Sequence, residues 1–205
     1  MPFYALFFFF GLPVKATLDF DQVVSRYKQA NIVRTTVTRV TKSELLGSET
    51  KQEGKLVLSK NGFSFLIEKP KKGFVIFDGK YLWTSEDTEA EKPIITRTKA
   101  DFTSDDSLFL LKLFWGREVK ERPKIIQQSE RGEDIIVKLE FENSKQFGPA
   151  EVRLNRTKKI VREVRYPDEI GNQVSYVFGP TLFFSKKMSE EFRVPKIKNA
   201  RVTEI

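Results

Sequence analysis

Residues 60–84, KNGFSFLIEKPKKGFVIFDGKYLWT, alternate short apolar runs with Gly, Pro and Asp-Gly punctuation, and their aromatic residues fall on both faces. Phe63, Phe65 and Ile67 share one side of a strand with Leu66 on the other; Phe74 and Ile76 oppose Val75 and Phe77; Tyr81 and Trp83 oppose Leu82. A half-buried strand keeps one polar face, so apolar residues on both sides predict a strongly curved sheet with apolar surface beyond an ordinary core. Asn61-Gly62 and Asp78-Gly79 supply the positive φ of tight hairpins, and Lys-Pro-Lys-Lys-Gly at 69–73 supplies another turn. The strands should therefore pair antiparallel in sequence order.

Upstream, Phe20, Val23, Val24, Tyr27 and Ala30 recur at helical spacing, and Asp19 or Asp21 can cap the start of that helix. Residues 32–46 are rich in Val and Thr and read as a strand, whereas 48–53 are polar and read as a hairpin turn or a frayed strand end. Lys55 to Lys60 precedes the decisive stretch, and Pro93 to Lys99 follows it across an acidic loop. Then the β pattern breaks. Thr103 or Ser104 can cap a helix, with Asp105 and Asp106 at its positive end; Leu108, Phe109, Leu110, Leu111, Leu113, Phe114 and Trp115 follow, stopped by Gly116. Apolar nearly all round, this helix must be covered on more than one side.

Alternation resumes in the second half. Ile135, Val137, Leu139 and Phe141 oppose Ile136, Lys138, Glu140 and Glu142; Val152 and Leu154 oppose charged neighbours; Ile160, Val164 and Tyr166, then Val174, Tyr176 and Phe178, continue one dry face. A short helix at 187–192 leads into a basic tail. The predicted fold class is mainly β (α+β): an incomplete, strongly curved antiparallel barrel of about ten strands, with helices covering its open side. A closed barrel of lipocalin type and a two-sheet sandwich are the alternatives.

At 205 residues the chain fits one domain, and its 19 Phe and 40% hydrophobic content suffice for a core. Met1 to Gly11, MPFYALFFFFG, is too short to span a bilayer as a helix but matches a secretory h-region, with Val14 and Ala16 at the −3 and −1 positions of a cleavage site. Residues 1–16 therefore read as a signal peptide cleaved near Ala16, although no Lys or Arg precedes Lys15, and a buried N-terminal strand is the alternative. The remaining domain is 17–205. No second run is long and apolar enough for stable membrane insertion. With no Cys there is neither a disulfide framework nor a thiol to acylate, which favours an exported soluble protein over a lipoprotein.

His is absent too, so a Ser-His-Asp arrangement is impossible and the commonest general base and metal ligand is missing. The pairs Asp105-Asp106 and Glu190-Glu191 read as helix-end or solvated charge rather than as catalytic carboxylates. Nothing calls for a metal or cofactor, and the expectation is a non-enzyme. The net charge of +8 is dispersed along the chain. It would suggest nucleic acid in a cytosolic protein, but export opposes that reading and leaves solubility, or steering toward anionic lipid or acidic partners.

The segment GKLVLSKNGFSFLIEKPKKGFVIFDGKYLWTSE resembles the periplasmic outer-membrane lipoprotein carriers, the LolA-like family, in the order of its parts. A strand ending near a basic residue is followed by an aromatic strand, a Pro turn, another apolar strand, and Asp78, Gly79, Lys80, then Leu82 and Trp83 as the most specific match. The resemblance implies a half-barrel whose apolar cavity carries the acyl chains of lipoproteins from an inner-membrane lipoprotein-releasing transporter to an outer-membrane receptor. It implies a cavity wall of Phe63, Phe65, Ile67, Val75, Phe77 and Trp83, and a lid of Leu108, Leu111, Phe114 and Trp115. Where those carriers place an Arg that latches the lid, this chain has Lys60, which lacks the planar fork. A monomer is expected, and a carrier or binding protein for other lipids or apolar ligands on the same half-barrel fold is the alternative.

Overall fold

The computed structural model describes residues 14–100, 108–116, 123–141, 148–186 and 189–205. A first helix, α1 (Val14–Gln29), precedes six strands: β1 (Ile32–Ser43), β2 (Ser48–Ser59), β3 (Gly62–Lys69), β4 (Gly73–Phe77), β5 (Tyr81–Ser85) and β6 (Ile94–Lys99). After a second helix, α2 (Phe109–Trp115), come β7 (Lys124–Arg131), β8 (Asp134–Glu140), β9 (Ala150–Asn155), β10 (Ile160–Pro167) and β11 (Gln173–Phe184). A 3₁₀ turn at Ser189–Phe192 and a last strand, β12 (Arg201–Glu204), complete the chain.

All twelve strands join one sheet in the order β12-β6-β5-β4-β3-β2-β1-β11-β10-β9-β8-β7. Two antiparallel meanders, β1 to β6 and β7 to β11, are thus welded by the long β1–β11 ladder, in which Val37 faces Phe178 and Arg39 faces Tyr176. This order dictates where α2 goes. Strands β6 and β7 lie near opposite edges of the sheet, so the connection between them must cross the open side. A flat sheet of this many strands would be roughly 50 Å wide. Yet Phe65 of β3 and Val137 of β8 belong to one core cluster with both helices, so the sheet curls around them. The observed fold is the predicted incomplete barrel.

The curled sheet has two apolar faces with different covers. On the inner face, Phe20, Val23, Val24 and Tyr27 of α1 and the whole apolar surface of α2 meet Val33, Val37, Leu56, Leu58, Phe63, Phe65, Phe77 and the dry face of β8 to β11. On the outer face, Phe74, Ile76 and Ile95 form a second cluster against Trp83, Val194, Ile197 and Ala200. The chain after Phe192 straps over that outer patch and ends as β12, parallel to β6. This explains why aromatics fall on both sides of 60–84.

Three local expectations are sharpened or corrected. Residues 48–53 are strand, the second of the two readings above, because the β1–β2 ladder runs without a break to the pair Ser43–Ser48 and Glu49 and Glu53 pair across the strands with Lys42 and Lys69. The β2–β3 turn is Lys60-Asn61, since Gly62 already pairs with Ser59 as the first residue of β3. Gly62 is needed for space instead: a Cβ there would meet the Phe192 ring at 2.6 Å. The basic tail contains a strand, short and too polar to show as one. Asp78-Gly79, by contrast, is the expected turn, with Gly79 at φ 102. The capping residues expected at 103–106 lie outside the described residues.

Candidate functional site

The concave face is built from one side of every strand in the decisive stretch. Phe63, Phe65 and Ile67 point inward from β3, and register carries Phe77 opposite Phe63 and Val75 opposite Phe65 on the same side. Leu82 continues the wall, because it pairs with Phe77. Trp83 does not line it. It pairs with Ile76 and lies with the outer cluster, a correction that follows from strict alternation after the Asp-Gly turn. There its indole N–H donates to Asp78 Oδ2 at 2.8 Å, and the Arg97 guanidinium lies 5.4 Å from its ring.

Asp78 organises that turn. Its Oδ1 accepts the backbone N–H groups of Lys80 and Tyr81 at 2.9 and 2.8 Å. Burial would raise the carboxyl, but the Tyr81 N–H, the Trp83 indole and the Lys80 N–H outweigh it and hold it below the usual aspartate range. Within the most specific part of the sequence resemblance, Asp78, Gly79 and Trp83 therefore build a structural corner, while Leu82 faces the concavity.

Helix α2 fills the concavity. Six of its seven residues are buried, and Leu108, just before it, is fully buried. Phe109 stacks on Tyr166 at 4.2 Å and Phe114 on Tyr27 at 4.1 Å, so α2 is held between the β10 wall and α1. Leu108, Leu111, Phe114 and Trp115 all belong to the inner cluster, as expected of a covering helix. The Trp115 indole nitrogen is buried there with no hydrogen-bond partner among the described residues.

Lys60 sits exposed at the apex of the β2–β3 turn, on a rim of the sheet, with no hydrogen bond or ion pair among the described residues. The ties are made from α1. Tyr27, deep in the inner cluster, accepts the Val161 N–H on its hydroxyl at 3.2 Å while stacking on Phe114. Burial, the largest effect, pushes its hydroxyl up to about 12. Arg26 donates to the carbonyls of Lys158 and Lys159 and lies 4.1 Å above the Phe183 ring. The signal for Tyr27 was present in the sequence: a Tyr in the apolar stripe of a helix needs a partner for its hydroxyl.

At one rim the concave face becomes polar. Arg39, Thr41, Thr50 and Gln52 continue the inward-facing rows of β1 and β2, and with Pro70, Lys71, Glu86 and Asp87 they border a cleft of about 580 Å³. Arg39 lies 5.8 Å from the Tyr176 ring, which stacks on Tyr166 and Phe178. Among the described residues no group of three or more Asp or Glu could hold a metal ion. Glu190 and Glu191 are engaged by Arg193 and Arg34 respectively, and Asp105 and Asp106 lie outside the described residues.

A curved, open sheet whose concave side is covered by an apolar helix between its two halves is the plan of a half-barrel. The observed architecture is the incomplete, strongly curved barrel with helices on its open side that the sequence resemblance implied. Among solved structures, an uncharacterized conserved protein from Thermus thermophilus is similar over 93% of this chain and 99% of its own, with 13% identity and a TM-score of 0.53. A LolA superfamily protein from Nitrosomonas europaea matches over 89% and 99% respectively, with 9% identity and a TM-score of 0.46. The Mycobacterium tuberculosis lipoprotein LppX matches over 79% and 92%, with 9% identity and a TM-score of 0.41. At such identities likeness extends to the fold alone. No family model and no curated protein matches the sequence.

Proposed function

We propose that this protein is a non-enzymatic periplasmic carrier that takes the acyl chains of lipoproteins against its concave face and moves them between inner and outer membranes. Residues 1–16 act as its leader and 17–205 as the carrier domain. Its partners are the cargo lipoproteins, an inner-membrane releasing transporter and an outer-membrane receptor, and it works as a monomer without nucleic acid or cofactor. The observation that carries this reading is α2: a helix apolar on all sides, inserted between α1 and a concave aromatic wall as the crossover between two sheet edges. If α2 swings out, Phe63, Phe65, Ile67, Val75 and Phe77 become a continuous apolar trough. Exposing apolar chain to water costs about 0.8 kcal/mol per CH₂, so one 16-carbon chain costs on the order of 12 kcal/mol. An aqueous compartment is crossed only by cargo shielded to that degree.

Native purification from the periplasm followed by mass spectrometry of bound species tests the proposal. Co-purified acylated proteins support it. Free lipids alone would redirect it to a general lipid carrier on the same fold, and a protein that never retains a lipid under native conditions would end both readings.

A further inference from the structure

The positive charge is dispersed in sequence but not in space. In an antiparallel sheet successive turns alternate between the two rims, and here the lysines divide accordingly. One rim carries the α1–β1 junction, the β2–β3, β4–β5 and β9–β10 turns and the ends of β6 and β11. It presents Lys28, Lys60, Lys80, Lys99, Lys158, Lys159 and Lys186, all exposed and none in an ion pair among the described residues. Following the sheet order, they form an arc that runs from β6 through β1 to β9 and spans on the order of 40 Å. Two contacts bind the arc together: the Ala100 N–H reaches the Lys80 carbonyl at 3.3 Å, and Arg26 adds its own charge where it grips the β9–β10 turn.

Among the described residues the carboxylates on this rim are occupied: Asp78 is committed to its turn and Trp83, Glu133 and Asp134 meet the Asn155 amide, and Glu130, Glu191 and Glu204 pair with Arg156, Arg34 and Arg97. The opposite rim shows the reverse. Lys42, Lys51, Lys69, Lys71 and Lys72 are each matched by Glu49, Glu53, Asp87 or Glu89, with Lys92 and Lys124 the exceptions among the described residues. There the surplus is acidic: Glu44, Glu86, Glu91 and Glu169 are exposed. Among the described residues the charge is polarised along the strand direction.

We propose that the lysine rim is a docking surface for an anionic lipid bilayer. Seven ammonium groups without a carboxylate partner among the described residues, four of them on turns, suit a plane of headgroups: they are non-directional point charges on flexible stems, strung out over a length that a planar surface can meet at once. A specific acidic protein would call for directional forks and a recess, and the cleft bordered by Arg39 and Asp87 lies at the other rim. The acidic rim is repelled by the same membrane, which fixes the orientation of approach. This surface does not depend on what the concavity carries.

The test is flotation of the purified protein with phosphatidylcholine vesicles, with and without a third of phosphatidylglycerol, at low and high salt. Binding should require the anionic lipid and fall with salt. Replacing Lys60, Lys80, Lys158 and Lys159 together by Gln should weaken it by roughly fivefold per lysine removed. The companion variant Lys69→Gln, Lys71→Gln, Lys72→Gln on the opposite rim should stay within about twofold, since those charges are already neutralised. All seven positions are exposed, so both proteins should keep the parent unfolding midpoint. Equal losses in the two variants, equal binding to neutral vesicles, or retention on heparin with no vesicle binding would each overturn the proposal.

Discussion

Asp78 shows how one short side chain sets the register of the central hairpin. Its carboxylate accepts from two backbone N–H groups and from Trp83, and removing it strands three donors at once. Asp78→Ala should cost about 1–2 kcal/mol in urea unfolding, with loss of the native Trp83 environment in fluorescence. Because the folded carboxyl titrates below its ordinary value, its contribution is complete above about pH 4 and is lost as pH falls through the lower folded value. The gap between parent and Asp78→Ala should therefore close in acid and stay constant at neutral pH. Gly62 makes a different argument at the same scale. Gly62→Ala places a methyl into the Phe192 ring and should cost about 1–3 kcal/mol; Phe192→Leu in the same chain should recover part of that, as a double-mutant cycle would show. The sequence signalled a special glycine at 62 but misassigned its reason, because a contact with a residue 130 positions away leaves no local trace. Trp83 failed for a related reason. Its facing was carried over from the resemblance, whereas alternation across the Asp-Gly corner sends Leu82 inward and Trp83 out.

Among the elements, α1 and α2 depend on each other, and Tyr27 is where they meet. Tyr27→Phe keeps the stack on Phe114 but leaves the buried Val161 N–H without an acceptor, an expected loss of about 1–3 kcal/mol by denaturant titration. The same variant has an alkaline signature. With its hydroxyl held protonated up to about 12 in the fold, Tyr27 stabilises the native state until pH passes the ordinary tyrosine value of about 10, and that contribution disappears between the two. Tyr27→Phe should unfold less steeply than the parent over that alkaline span. If α2 is a lid, the variant should also exchange a bound fluorescent fatty acid faster, since one of the ties behind α2 is gone. Both helices were legible from the sequence, α1 by its apolar spacing and α2 by an apolar run interrupted only by Lys112. The tie between them was not. Resemblance placed the latch at Lys60, which the chain puts exposed on a rim; the contacts seen around α1 come from Tyr27, against Val161 and Phe114, and from Arg26, against the β9–β10 turn.

For the whole molecule, the sequence revealed the curved sheet but not how it is closed. Hairpins announce themselves through turn residues and alternation, so β1 to β6 and β7 to β11 could be read as two meanders. The weld of β1 to β11 and the parallel addition of β12 to β6 join residues more than 100 positions apart, and no turn chemistry records them. What the sequence did record was their consequence: a strand pair with too many aromatics for one core. The C-terminal strap resolves that excess, because Val194, Ile197 and Ala200 cover Phe74, Ile76 and Ile95, which are 1%, 1% and 4% exposed beneath it. Ending the chain after Phe192 should therefore uncover the outer cluster while leaving the helices and the concave face in place. Re-exposing three large apolar side chains is expected to cost about 3–6 kcal/mol and to shift Trp83 emission to the red. As a control, Val202→Thr, half exposed in β12, should change stability by no more than about 0.5 kcal/mol. If the shortened protein kept its parent stability, the strap would be an ornament on a sheet already satisfied by its inner core, and the aromatics of 60–84 would need another explanation. If it lost stability yet still retained apolar ligand, the two faces of the sheet would be separated by experiment: the inner one for cargo, the outer one for the fold.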